Sequence, residues 1–499
     1  MSRVKSTRAL GIVALSLFGA VGCPVLLSDD FKTVPPGDKD GGATDNGAGG
    51  SESTDAGVTA VGGAINGGDG GAGGSSAGGR ITNANTGGFD QSGSGGVSDG
   101  AGGSGTGGGG KNPNLLGAGS AAGTAGTSSD AGNCTPCGAL AACCPAHWTP
   151  VAAPDPSFVA REQAAYTALG TSVFIGGGAD TRATELATGA LYDAEANSWT
   201  TVPADSATPS ARVLATAVWT GTTVVVWGGG DHANLTDYAT GSRYDPAAKK
   251  WSAMSTAGAP TARRAPYGVW TGTRVLFWGG TTATHLPVGG AYLYDPVGDA
   301  WSAASVTNEP VAPLNPTVGW TGSALLVYGG RSGGTSFTGH TDAYDVGTNL
   351  WSQRPTGPQA RMGAFGTWDG ASLVAWGGTS STMKRDGQRY SLAKNSWSNI
   401  ISTGEPTARY VVNRETGWTA RVADMTTLML GGYDATETPE LDGAYYDSTA
   451  NTWTSVAAWP SGSAHLSGVG VWAGSAFVLW GGRTAPLGAL NSVGERFRF

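Results

Sequence analysis

The chain reads as an all-β protein: a closed ring of seven small four-stranded sheets behind a long unstructured leader. Three observations predict this. A double glycine that ends a short apolar run recurs at Gly176, Gly228, Gly279, Gly329, Gly377, Gly431 and Gly481, at spacings of 52, 51, 50, 48, 54 and 50 residues. Each copy carries three turn signals between runs too short for helices, so each is a four-stranded unit. One such unit cannot bury its own apolar faces, whereas stacked neighbours supply the missing cover.

The landmarks recur in a fixed order. The residue before each glycine pair is large and apolar: Ile175, Trp227, Trp278, Tyr328, Trp376, Leu430 and Trp480. The first strand ends in a tight turn, as in Trp219-Thr220-Gly221 or Trp368-Asp369-Gly370. The third strand carries Tyr-Asp in copies one to four and six, Tyr390-Ser391 in copy five and Arg496-Phe497 in copy seven. Trp199, Trp251, Trp301, Trp351, Trp397 and Trp453 open the fourth strands. The regular aromatics read as core between sheets, since strand alternation points them there.

A period near fifty with Gly-Gly, Tyr-Asp and Trp in order resembles the kelch repeat, over about Trp148 to Phe499. The resemblance implies a β-propeller in which each repeat is roughly one blade. Copy seven ends after its third strand, while Trp148-Thr149-Pro150-Val151 is an unpaired fourth-strand sequence upstream of copy one. The strand at Trp148 is therefore expected to complete the seventh blade and close the ring.

The rest of the chain divides by composition. All 18 Trp lie at or after position 148, and the first Tyr is Tyr166. Residues 1–23 have a basic start (Arg3, Lys5, Arg8) and an apolar run too short for a permanent span. They end Ala20-Val21-Gly22-Cys23, which resembles a bacterial lipobox with Cys23 as the lipidated residue. Residues 24–133 are low complexity, rich in Gly, Ser and Ala. Such a segment cannot bury enough apolar surface to fold, so it is expected to be a disordered tether with a mean reach of roughly 50–60 Å. Residues 134–147 hold Cys134, Cys137, Cys143 and Cys144. In an exported chain these are expected to form two disulfides; a zinc site is the rival. A propeller at 148–499 follows.

Candidate site residues come from one pattern. An Arg precedes the first strand in most copies: Arg161, Arg212, Arg263 (with Arg264), Arg361 and Arg409, with His465 in copy seven and Leu314 in the matching region of copy four. One reading is a cationic ring at the channel mouth that binds carboxylates, acidic peptides or anionic sugars. The other has each Arg bonded to loop carbonyls, as part of the scaffold. The fourth-to-first and second-to-third connections should share a face, the default binding surface of such a scaffold. The second-to-third loops there carry His232, His285 and His340, read as solvated rather than as shared metal ligands.

Absences narrow the field. Galactose oxidase also has a seven-bladed kelch propeller, but its copper centre needs a Cys cross-linked to Tyr, and no Cys follows Cys144. The net charge of −8 argues against nucleic acid. The expectation is a non-enzymatic, monomeric kelch lipoprotein of the bacterial envelope, without cofactor or metal. It would be held to the membrane by its N-terminal lipid alone and would bind an extracytoplasmic protein or glycan through its loop face. The alternative is a carbohydrate-active enzyme similar to the periplasmic kelch sialic-acid epimerases, with its site at the channel mouth.

Overall fold

A computed structural model describes residues 147–332, 336–412 and 416–499. The signal-like segment with Cys23, the tether and the four clustered cysteines lie outside the described residues. The described chain forms seven antiparallel four-stranded sheets, one per repeat. Blade I comprises Ala165–Leu169, Ser172–Gly176, Gly189–Asp193 and Ser198–Val202. Blades II to VI repeat this order, with first strands at Thr216–Trp219, Tyr267–Trp270, Thr317–Trp320, Phe365–Trp368 and Gly417–Ala423. First strands of neighbouring blades lie side by side, which places them around the central channel. Among the described residues no helix occurs.

Blade VII closes as the sequence implies. Its strands Val469–Ala473, Ala476–Trp480 and Gly494–Arg498 take His147–Pro150 as the fourth, with Trp148 opposite Phe497 and Pro150 opposite Glu495. The Trp148 indole N–H donates to the carbonyl of Ala457 in blade VI (2.9 Å). Arg496 and Arg498 both donate to the carbonyl of Ala194 in blade I (2.8 Å each). The seam therefore carries packing and polar contacts to both neighbours.

The landmark aromatics do pack between blades. The Trp that ends one second strand meets the fourth-strand Trp of the next blade: Trp227 with Trp301, Trp278 with Trp351, Trp376 with Trp453, Trp480 with Trp199. Centroids 5.2–5.6 Å apart and tilted planes are geometries that favour aromatic pairs. Most fourth-strand indoles also donate backwards, as Trp301 does to Ser255 and Trp453 to Ile401, which stitches those blades to the ones before them; among the described residues Trp351 of blade IV makes no such bond.

Tyr-Asp has a mechanical task as well. The hydroxyls of Tyr192, Tyr344, Tyr390 and Tyr446 donate to the side chains of Asn197, Asn349, Asn395 and Asn451, five residues on. Those Asn residues take φ of 46–55°, which Asn tolerates better than most residues. The Asp caps the same turn, Asp193 accepting from the backbone N–H groups of Glu195 and Ala196.

Blade I departs from the spacing read in the sequence. Gly176 pairs with Gly189 as Trp227 pairs with Gly241, so Gly176 occupies the aromatic position. The structural glycine pair is Gly177-Gly178, one residue later than the sequence anchor. A Cβ on Gly176 would fall 2.6 Å from the Phe174 ring. Phe174 fills the missing side chain's space and reaches Trp251 in blade II, centroids 6.1 Å apart.

Candidate binding face

The connections before each first strand and the second-to-third loops share one face. They meet in short bridges, such as Glu162 with Ala179, Val213 with Gly230 and Leu466 with Arg483. Just inside those bridges the backbone turns into the channel through residues of positive φ: Gln163, Leu214, Ala265, Asn315 and Ser467, at 46–57°. Their amides link round the mouth. Gln163 N–H donates to Ser467 O, Leu214 to Gln163 and Ala265 to Leu214, then Gly363 to Asn315 and Val411 to Gly363, at 2.7–2.9 Å. A left-handed backbone costs a residue such as Leu roughly 1–2 kcal/mol, and here the belt of amide bonds holds it. Gln163, Leu214, Ala265 and Ser467 line the mouth together with Tyr166 and Thr216. On that side of the mouth the surface is neutral.

The Arg residues are therefore not at the mouth. Arg161, Arg212, Arg263, Arg361 and Arg409 are buried, 1–3% exposed. Each sends one guanidinium nitrogen to two backbone carbonyls. One is the first Gly of the structural pair; the other lies just before the third strand. For Arg212 these are Gly228 O (2.9 Å) and Thr240 O (2.8 Å); for Arg361, Gly377 O (2.8 Å) and Asp386 O (2.9 Å). The Nε of Arg161, Arg212, Arg263 and Arg409 donates to the carbonyl two residues back. A planar fork of five donors suits this task and an ammonium does not. Burial pushes the Arg161 guanidinium down to about 9, which leaves it charged at neutral pH. Of the two readings of these residues, the geometry matches the scaffold one.

His465 fills the same place in blade VII. Its Nδ1 lies 2.8 Å from Gly481 O, and its Nε2 lies 2.8 Å from the Glu495 carboxylate. In blade IV the register puts Pro313, not Leu314, at the Arg position, because Leu314 bridges Arg331 as Val213 bridges Gly230.

The three loop histidines do not converge on one point. His232 Nε2 lies 2.7 Å from Gln163 Oε1, and its backbone N–H donates to Glu185. Burial holds His232 below the ordinary histidine range; the charges of Arg264 and His285 add to this, and Glu185 and Asp231 oppose it. His285 is lowered by burial and by Arg264. His340 is exposed, in blade IV. Among the described residues no group of three or more His, Cys, Asp or Glu could hold a metal ion.

Two buried ion pairs on this face escaped sequence reading. Arg483 of blade VII forks onto Glu162 of blade I, at 2.6 and 2.5 Å. Arg264 donates to Asp237 (2.7 Å) and to Asp231 O (2.8 Å), fastening the blade II loop to the blade III connection. Their sequence separations of 321 and 27 residues offered no local signal.

Seven sheets around a channel define a seven-bladed β-propeller. Two overlapping stretches, 142–315 and 215–416, match the KLHDC2/KLHL20/DRC7 Kelch-repeats domain. Together they cover more than half of the chain, and the protein belongs to the kelch-repeat family. No curated protein matches it.

Proposed function

We propose that the protein is a non-enzymatic scaffold of the bacterial cell envelope that binds an extracytoplasmic protein or glycan through its loop face. One observation carries this reading. The guanidinium groups that a channel-mouth chemistry would draw on are engaged by the blade walls, while the varied second-to-third loops stand on a stitched, rigid ring. Fold alone does not decide between binder and enzyme; the disposition of these side chains favours the binder. Lipidation at Cys23 and a tether over residues 24–133 belong to the same proposal. They would place a monomeric propeller clear of the membrane surface, without cofactor.

Metabolic labelling with a fatty-acid analogue tests the anchor: label is expected on the intact protein and absent from Cys23→Ser. A thermal-shift screen of the full chain against glycans and peptides tests the binder, since a ligand of the native state raises Tm. Turnover of a glycan without a stable complex would favour the enzyme of the epimerase-like class instead.

A further inference from the structure

Five of the seven blades fill one socket with an arginine of their own and blade VII with His465, and blade IV does neither. The socket's acceptors are nevertheless built there. Gly329 N–H donates to His340 O (3.0 Å), as Gly228 donates to Thr240 and Gly377 to Asp386 in blades II and V. The carbonyls of Gly329 and His340 thus stand where Gly228 and Thr240 receive Arg212. The position that would supply the cation is Pro313, which has no donor at all. In its place lies a groove of about 1050 Å³ that Pro313, Gly329, His340 and Asp342 help to line.

Asp342 makes the case specific. It faces Val327 across the ladder, as Glu495 faces Leu479 in blade VII and Tyr292 faces Phe277 in blade III. At that register position the side chain addresses the socket: Glu495 pairs with His465, and the Tyr292 ring lies under the Arg263 guanidinium. Asp342 is 8% exposed, and its carboxylate has no hydrogen-bond or ion-pair partner among the described residues. Burial pushes its carboxyl above the ordinary range, with the His340 charge opposing. A second carboxylate, Glu309, lines the same groove and accepts from the Trp278 indole and Gly290 N–H through one oxygen. Glu309 is half-buried and already lies within the field of Arg263; Asp342 is the buried carboxylate left without a cation, which is costly, and a groove open to solvent admits one from outside.

We propose that the blade IV socket receives a guanidinium from another molecule, the side chain of an arginine presented by a protein partner. It would bond the Gly329 and His340 carbonyls and pair with Asp342. Guanidinium is favoured over ammonium because five blades meet the same acceptor pair with Arg. The choice of a protein partner rests on the scaffold reading above; the socket chemistry does not.

Isothermal titration of the full chain with L-argininamide tests it, with the uncharged citrulline amide as control. Saturable binding of argininamide alone is expected, at least tenfold weaker in Asp342→Asn and abolished in Pro313→Arg, which supplies the guanidinium from within. No saturable binding to the native chain, equal binding of the citrulline amide, or binding unaffected by Asp342→Asn overturns the proposal. Asp342→Asn keeps the side chain's shape and carries the test if Pro313→Arg does not fold. Argininamide binding that survives while no arginine-bearing protein is captured at the loop face would overturn the protein partner proposed for the socket, and a glycan ligand in the thermal-shift screen would still distinguish that failure from failure of the scaffold reading.

Discussion

His465 Nε2 lies 2.8 Å from a carboxylate oxygen of Glu495, and both side chains are buried in blade VII. Burial alone would raise the Glu495 carboxyl. The hydrogen bond and charge of His465, with hydrogen bonds from Ser461, outweigh it and hold Glu495 below 4.5. A carboxyl lowered in the folded state adds stability above its unfolded pKa and loses it as pH falls through the folded value. The acid limb of the stability curve should therefore begin below about pH 4.5 and flatten in Glu495→Gln. Chemical denaturation of both proteins between pH 3 and 7 measures this, and identical limbs would rule it out.

Arg212 should matter for stability and not for the loop face. Its removal strips the guanidinium from the buried Gly228 carbonyl, at about 1–3 kcal/mol, leaves Thr240 O with the Gly228 N–H alone, and loses the packing of the Arg stem. Arg212→Met is expected to lose about 3–5 kcal/mol in total. With an unfolding entropy of roughly 2 cal/mol/K per residue over about 350 residues, Tm falls by about 4–7 °C. Arg212→Lys should recover little, because a single ammonium cannot reproduce the fork. Calorimetry on the three proteins decides; a wild-type Tm in Arg212→Met would show that the fork carries no load.

The seam at blade VII predicts a second loss. Trp148 packs at a tilt against Phe497 (5.1 Å between centroids) and edge-on against Trp459 (5.9 Å), besides its bond to Ala457. Trp148 is half-buried, so Trp148→Ala should cost about 2–3 kcal/mol, below the range for a core aromatic. Removing His147–Pro150 exposes Gly494–Arg498 as an edge strand, a template for pairing with other chains. Size-exclusion chromatography should then show oligomers; a monodisperse, equally stable truncation would mean the ring does not depend on its velcro strand.

Gly176 is expected to resist even alanine. The added Cβ would sit 2.6 Å from the Phe174 ring and push it off Trp251. Overpacking of this kind costs typically 1–3 kcal/mol. The equivalent change elsewhere is already present, since Trp227 and Trp278 occupy that position. A neutral Gly176→Ala by urea denaturation would show that Phe174 has room to move.

Blade number, strand order and ring closure were legible from sequence alone. They follow from landmarks such as Trp227, Tyr244 and Trp251, whose spacing within a repeat is set by strand and turn lengths. The fourth strand at Trp148 was legible because a four-stranded unit with three strands leaves one unpaired edge. Which glycine of Gly176-Gly177-Gly178 ends the strand was not, because the answer depends on where the Phe174 ring goes. The fate of the Arg residues was not legible either. Arg212 is 16 and 28 residues from its two acceptors, and only packed blades bring those carbonyls together. The positive φ at Leu214 and Ala265 is likewise imposed by amide bonds to the neighbouring blade, against local preference. Local patterning thus determined which strands form and how many blades they make. The direction of each polar side chain, and hence whether a ring of arginines faces a ligand or the wall, was decided by contacts between blades.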